Sequence, residues 1–156
     1  MYEKRDYFSL EASYRLLIPY LIPDNIDRIL YLDSDMIIRK DISELFTINI
    51  CKNPIACCLD ISHIGSQNNI NIKRLELKKT KKYYNSGLII YDVKKYKETV
   101  KIKDYNEIIK RIYKKIKYPD QDILNYIFQN KIYELNSEYN VFFTSNYKYE
   151  NKEQEH

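Results

Sequence analysis

The sequence predicts an α/β fold, with a mixed, mainly parallel sheet flanked by helices, and three observations carry that reading. Short apolar runs alternate with amphipathic runs along the chain. At 156 residues the chain suits one domain around a single core. The run "RILYLDSDMII" delivers Asp33 and Asp35 at the end of an apolar strand, where ligand crevices open in α/β sheets.

Each element has a local reason. "SLEASYRLLIPYLI" (9–22) is apolar at Leu10, Tyr14, Leu17 and Leu21, the spacing of one helix face, with Ser9 as N-cap and Pro23 to Asn25 as its stop. "DRILYL" (27–32) reads as a strand, "DISELF" (41–46) as a short helical turn, and "NPIACCLD" (53–60) as a strand of small apolar residues. A polar interval runs to Lys82, followed by "YYNSGLIIYD" (83–92), a strand with turn chemistry at Asn85 to Gly87. Residues 93–116 read as two amphipathic helices. "PDQDILNYIFQ" opens a helix with proline just inside and acids in the first turn, and "KIYELN" (131–136) is a short strand.

Composition removes several classes of chemistry. With only two glycines, Gly65 and Gly87, no glycine-rich phosphate cradle is possible. His63 and the terminal His156 leave imidazole-activated nucleophiles almost no base. Cys51, Cys57 and Cys58 form no C-x-x-C pair, so a reduced, cytoplasmic setting is expected. The first residues lack the apolar core of a signal peptide, and nowhere do 18 apolar residues run together. A net charge of +4 is too mild to demand a nucleic-acid partner, and none is expected. The 17 tyrosines read as compositional bias as much as design.

Asp33 and Asp35 would share one face of a strand and repel unless a cation sits between them. A hard divalent ion with oxygen ligands, Mn²⁺ or Mg²⁺, suits that pair and leaves positions open for phosphates. The bland alternative is a polar turn whose side chains cap backbone N–H groups. Eleven aspartates make one chance D-x-D unsurprising, and a second pair, Asp120 and Asp122, is explained by its place at a helix start.

Four blocks in order, "SYRLLIPYLIP..IDRILYLDSDMII..DISELF", "IACCLD", "YYNSGLIIYDVKKYKE" and "YPDQDILNYIF....IYELNSEYNVFFT", resemble family 8 glycosyltransferases. That is a GT-A fold family including glycogenin and the lipopolysaccharide glucosyl- and galactosyltransferases. The resemblance implies a retaining transfer of glucose or galactose from a UDP-sugar to a glycan or glycolipid acceptor. It implies that Asp33 and Asp35 hold Mn²⁺ (or Mg²⁺) with the donor diphosphate, with Ser34 between them on the donor side. Arg15, Asn85 and Ser86 fall on the donor side as well, Asp60 on the acceptor side, and Gln121 and Asp120 at the reacting sugar. Asp122 matches a further acid with a partly structural role. The bland readings are a surface arginine at position 15 and a tight turn at Asn85 to Gly87.

The chain departs from the family pattern at both ends: it starts at the helix before the D-x-D strand, and nothing after Phe143 matches the His- and Lys-bearing metal-ligand segment. Residues 1–146 are therefore expected to be a partial catalytic domain and 147–156 a frayed tail. Two rivals follow: an inactive fragment that only folds or binds, and a haloacid-dehalogenase-type phosphatase, whose first motif "ILYLDSDMI" also resembles, with Ile37 out of pattern. The interval 71–84, with Lys73, Arg74, Lys78, Lys79, Lys81 and Lys82, reads as a solvated loop, or as a cover over the acceptor or a contact with anionic lipid heads. Exposed sheet edges would permit an oligomer.

Overall fold

A computed structural model of the protein describes residues 10–60 and 66–141. Four strands, β1 (Arg28–Leu32), β2 (Ile55–Leu59), β3 (Tyr84–Asp92) and β4 (Ile132–Leu135), form one sheet in the order β1-β3-β2-β4. The helices are α1 (Leu10–Leu21), α2 (Ser66–Arg74), α3 (Val93–Thr99), α4 (Ile102–Ile112) and α5 (Pro119–Phe128). Short 3-10 turns occupy Ser43–Phe46, Tyr113–Lys115 and Ser137–Tyr139. His63, Gly65, His156 and the tail 147–156 lie outside the described residues.

The sheet is mixed, as expected, but parallel pairing does not dominate. Among the described residues β3 runs antiparallel to both β1 and β2, and only β2 with β4 is parallel. Alternation of strands with covering segments fixes neither the order nor the direction of strands when the connections are long. β3 enters the sheet where β1 and β2 finish: Asp33 N–H donates to Gly87 O at 2.8 Å and Asp60 N–H to Tyr83 O at 3.1 Å.

Both faces of the sheet are covered, which is why its strands read as continuous apolar runs. Ile29, Tyr31, Ile55, Cys57, Ile89 and Tyr91 face the helical side, against Leu16, Tyr96, Tyr105, Ile112, Leu124 and Phe128. The alternate residues Leu30, Leu32, Ala56, Cys58, Leu88 and Ile90 pack on Leu45 and Ile50 across the other face. Each large aliphatic buried this way stabilises the fold by roughly 1.5–3 kcal/mol. The three cysteines are unpaired, Cys57 and Cys58 within the core.

Three tyrosines have a specific task. Pro19 lies inside α1 and has no N–H for the carbonyl of Arg15, four residues earlier. Tyr91 O–H donates to that carbonyl at 2.9 Å. The Tyr96 and Tyr105 hydroxyls, 2.7 Å apart, lie 2.9 and 3.2 Å from the next carbonyl, Leu16 O; one donates to the other and the remaining O–H donates to that carbonyl. Burial pushes the Tyr91 and Tyr96 phenols well above their ordinary range, so they remain donors.

The basic interval is not simply a loop. It contains the end of α2, closed by Leu77 N–H donating to Ile72 O at 2.9 Å and Glu76 N–H to Lys73 O at 3.1 Å, with Glu76 left-handed at φ 54°. That is a Schellman closure with glutamate where glycine is usual. Leu75, Leu77 and Tyr83 form a small core beneath it. Arg74 turns inward: its Nη1 and Nη2 each lie 2.8 Å from a different oxygen of Asp122, a residue with no exposed surface.

Candidate active site

The candidate site lies where β1 and β2 end and β3 begins. β1 stops at Leu32, and the chain turns at once, Met36 N–H donating to Asp33 O at 3.2 Å. Asp33 is therefore half-buried at the strand end, whereas Ser34 and Asp35 stand exposed at the corner of the turn. The expected same-face spacing of a strand does not extend to Asp35, because Asp33 is already the first residue of a turn.

Asn85, Ser86 and Gly87 belong to β3 rather than to a tight turn. β2 pairs Cys57 with Ile89 but Leu59 with Tyr84, where an unbroken ladder would pair Leu59 with Gly87. Three residues of β3 thus bulge out of the β2 ladder, while β1 still pairs Leu32 with Leu88. The bulge presents Asn85 and Ser86 to the start of α5. Gly87 is needed by the close approach: a Cβ there would stand 2.9 Å from Asn85 Oδ1 and 3.0 Å from Asp33 Oδ2. Gly87→Ala is expected to destabilise the fold by about 1–3 kcal/mol, through displacement of those two side chains. Urea unfolding measures it, and a variant as stable as the parent would show that the site yields freely.

Arg15 of α1 joins the two carboxylates nearest this bulge. Its Nη1 lies 3.0 Å from Asp33 Oδ1 and 3.1 Å from Asp120 Oδ2, and donates to Ser86 O at 3.0 Å. Its guanidinium carbon sits 4.9 Å above the Tyr31 ring. Tyr31 O–H in turn donates to Asp33 Oδ1 at 2.8 Å. Burial first, then that hydrogen bond, pushes the Tyr31 phenol up to about 12.

A second chain of contacts begins at Gln121, which is only 8% exposed. Its Oε1 accepts from Asn85 Nδ2 and from Ser86 N–H, both at 3.1 Å, and its Nε2 donates to Asp60 Oδ2 at 2.8 Å. A flipped amide would put donor against donor at Ser86, so its orientation is fixed. Ser86 Oγ donates to Asp120 Oδ2 at 2.7 Å. Asn140, beyond β4, donates from Nδ2 to Asn85 Oδ1 at 2.7 Å.

Of the residues singled out in the sequence, Arg15, Asp33, Asp60, Asn85, Ser86, Asp120 and Gln121 are brought into one network, and Ser34 and Asp35 stand on its rim. Sequence reasoning missed Tyr31 and Asn140. The strand period puts Tyr31 on the same face as Asp33 and flags it in hindsight; Asn140 follows a four-residue strand and carries no local signal.

The family model described as Glycosyl transferase family 8 matches residues 2–156. The chain belongs to this family. Among curated relatives of this family 8 chain, general stress protein A of Bacillus subtilis is 32% identical, over 90% of this chain and 50% of its own length. A lipopolysaccharide 1,2-glucosyltransferase of Escherichia coli is 29% identical, over 88% of this chain and 40% of its own. The family 8 chain thus spans half or less of these relatives' length. A crystal structure of the galactosyltransferase LgtC with donor and acceptor sugar analogs superposes with a TM-score of 0.68 at 24% identity, covering 80% of this chain and 44% of that one. The fold is GT-A-like. Among the described residues no helix is long and apolar enough to cross a membrane.

Proposed function

We propose that this family 8 chain carries the donor site of a retaining hexosyltransferase, which moves glucose or galactose from a UDP-sugar to a glycan or glycolipid acceptor. The observation that carries the reading is the single network joining Arg15, Asp33, Ser86, Asp120, Gln121 and Asp60. The names of the lipopolysaccharide glucosyl- and galactosyltransferase relatives support the hexose and the acceptor class. The family match sets aside the phosphatase alternative.

The donor set at the rim fits a hard divalent cation, Mn²⁺ or Mg²⁺. Asp33 and Asp35 offer carboxylate oxygens, and among the described residues Asp33 Oδ2 takes no hydrogen bond while Oδ1 serves Arg15 and Tyr31. No third carboxylate or imidazole joins them among the described residues. When bound there, such an ion stabilises the leaving diphosphate as a Lewis acid.

The chain's own residues orient the sugar. Ser86, Asn85 and Asp60 are short polar side chains held rigidly beside the strand ends, suited to reading hydroxyls. Asp120 spends Oδ2 on Arg15 and Ser86, and among the described residues Oδ1 accepts nothing. Gln121 has both amide atoms engaged. Asp120 is therefore the group that faces the positive charge developing on the sugar, and Gln121 holds Ser86 and Asp60 in place. Calorimetric titration with UDP, with Mn²⁺ and then with EDTA, tests the reading. Binding that needs the metal is expected; none under either condition would leave the chain as a fold without a donor site.

A further inference from the structure

The far end of α5 borders a second depression, unrelated to the donor network. From Asp120 to Phe128 the helix axis rises about 12 Å, so the two lie at opposite ends. This cleft, of about 280 Å³, is lined by Lys78 and Lys79, by Arg111 and Lys115, and by one acid, Glu76. Its cations come from segments more than thirty residues apart.

The charge around it is lopsided. Residues 73–82 and 110–117 hold eleven Lys or Arg and a single acid, Glu76, whereas the rest of the chain holds 15 basic residues against 21 acidic ones. Arg74 is spent inward on Asp122 and Lys82 on Glu134, so the basic excess that reaches this cleft is that of Lys78, Lys79, Arg111 and Lys115 over Glu76. Cations at the end of α4 complement its dipole, which accounts for Lys110 and Arg111 but not for Lys78 and Lys79. Those two are delivered by the left-handed Glu76, a conformation that costs a non-glycine residue energy. The same conformation sets the Glu76 carboxylate 2.7 Å from Lys115 Nζ.

We infer that this cleft binds a phosphate-bearing anion, with Lys78, Lys79, Arg111 and Lys115 as its cations and Glu76 as an internal competitor that holds Lys115 until the anion arrives. Arginine and lysine converging from separate segments suit phosphate oxygens. The cleft is open and its volume lies just under the roughly 300–1,000 Å³ of small-molecule sites, room enough for a phosphate or short polyphosphate. The anion comes either free in solution or as a phospholipid head.

The chain is titrated with inorganic tripolyphosphate in EDTA at fixed ionic strength, and co-sedimented with phosphatidylcholine vesicles with and without phosphatidylglycerol. Arg111→Ala with Lys115→Ala is expected to weaken binding roughly tenfold. Glu76→Gln is expected to tighten it roughly two- to fivefold. Glu98→Gln on the exposed side of α3 changes net charge equally and should leave binding as it was. Tripolyphosphate binding in that order of variants identifies a free phosphate as the ligand. Binding to phosphatidylglycerol vesicles alone, in the same order, identifies the lipid head. No binding in either arm, or a Glu76→Gln variant that binds no tighter than Glu98→Gln, overturns the assignment. Urea unfolding of each variant confirms that the comparison is made between folded proteins.

Discussion

Asp122→Ala is expected to lower the stability of the fold by about 3–5 kcal/mol. Asp122 has no exposed surface, and its carboxylate accepts from Arg74 Nη1 and Nη2, Tyr83 O–H, and the N–H groups of Lys117 and Tyr118. Alanine removes the acceptor and leaves a mostly buried guanidinium and two amides facing a void. Charged groups stranded in this way cost far more than the net worth of the pair. A domain of this size has about 5–15 kcal/mol in all, so the loss is a large part of the whole. Urea denaturation of Asp122→Ala, Arg74→Ala and the double variant measures it, the double variant recovering part of the loss because no charge remains stranded. A loss below about 1 kcal/mol for Asp122→Ala would show that water replaces the carboxylate there.

Asp33→Ala is expected to remove metal-dependent UDP binding, a larger effect than the roughly 10- to 100-fold typical of losing an outer partner of a metal site. Arg15→Gln falls in that smaller range, since Arg15 holds Asp33 and Asp120 apart from one another's charge without itself offering a lone pair. The Asp33 side chain is 31% exposed, so its replacement costs the fold much less than that of Asp122. Calorimetry with UDP and Mn²⁺ on Asp33→Ala, Asp35→Ala and the double variant reads the outcome. A double variant that binds like the parent would make Asp33 to Asp35 a turn and nothing more.

The strands and most helices were legible because their apolar residues recur at periods of 2 and 3.6, and because proline, asparagine and glycine punctuate them. The members of the candidate site were legible through a resemblance, since no local pattern says that Arg15 of the first helix meets Asp120 of the last. What stayed hidden were long-range effects. "NSG" carries turn chemistry, yet Leu32 pairing with Leu88 and Asp33 N–H bonding to Gly87 O keep it in the sheet. Arg74 sits in a lysine-rich run that looks wholly solvated, and only a buried carboxylate 48 residues away reveals its task. The balance of antiparallel and parallel pairing stayed hidden as well, because strand and helix alternation does not record which end of the sheet a long connection returns to.

The tyrosines that read as compositional bias change how α1 must be understood. Tyr91 supplies the hydrogen that Pro19 cannot, and the carbonyl it reaches is that of Arg15, the residue binding the two carboxylates. Proline and phenol form one structural unit. Drift that loses the hydroxyl strands a buried carbonyl at the base of the site, while drift that restores a main-chain N–H at position 19 makes the hydroxyl redundant and frees position 91 to become phenylalanine. Losing the hydroxyl while Pro19 remains strands the carbonyl and losing the proline first does not, so the two positions, 72 residues apart in sequence, are expected to be energetically coupled.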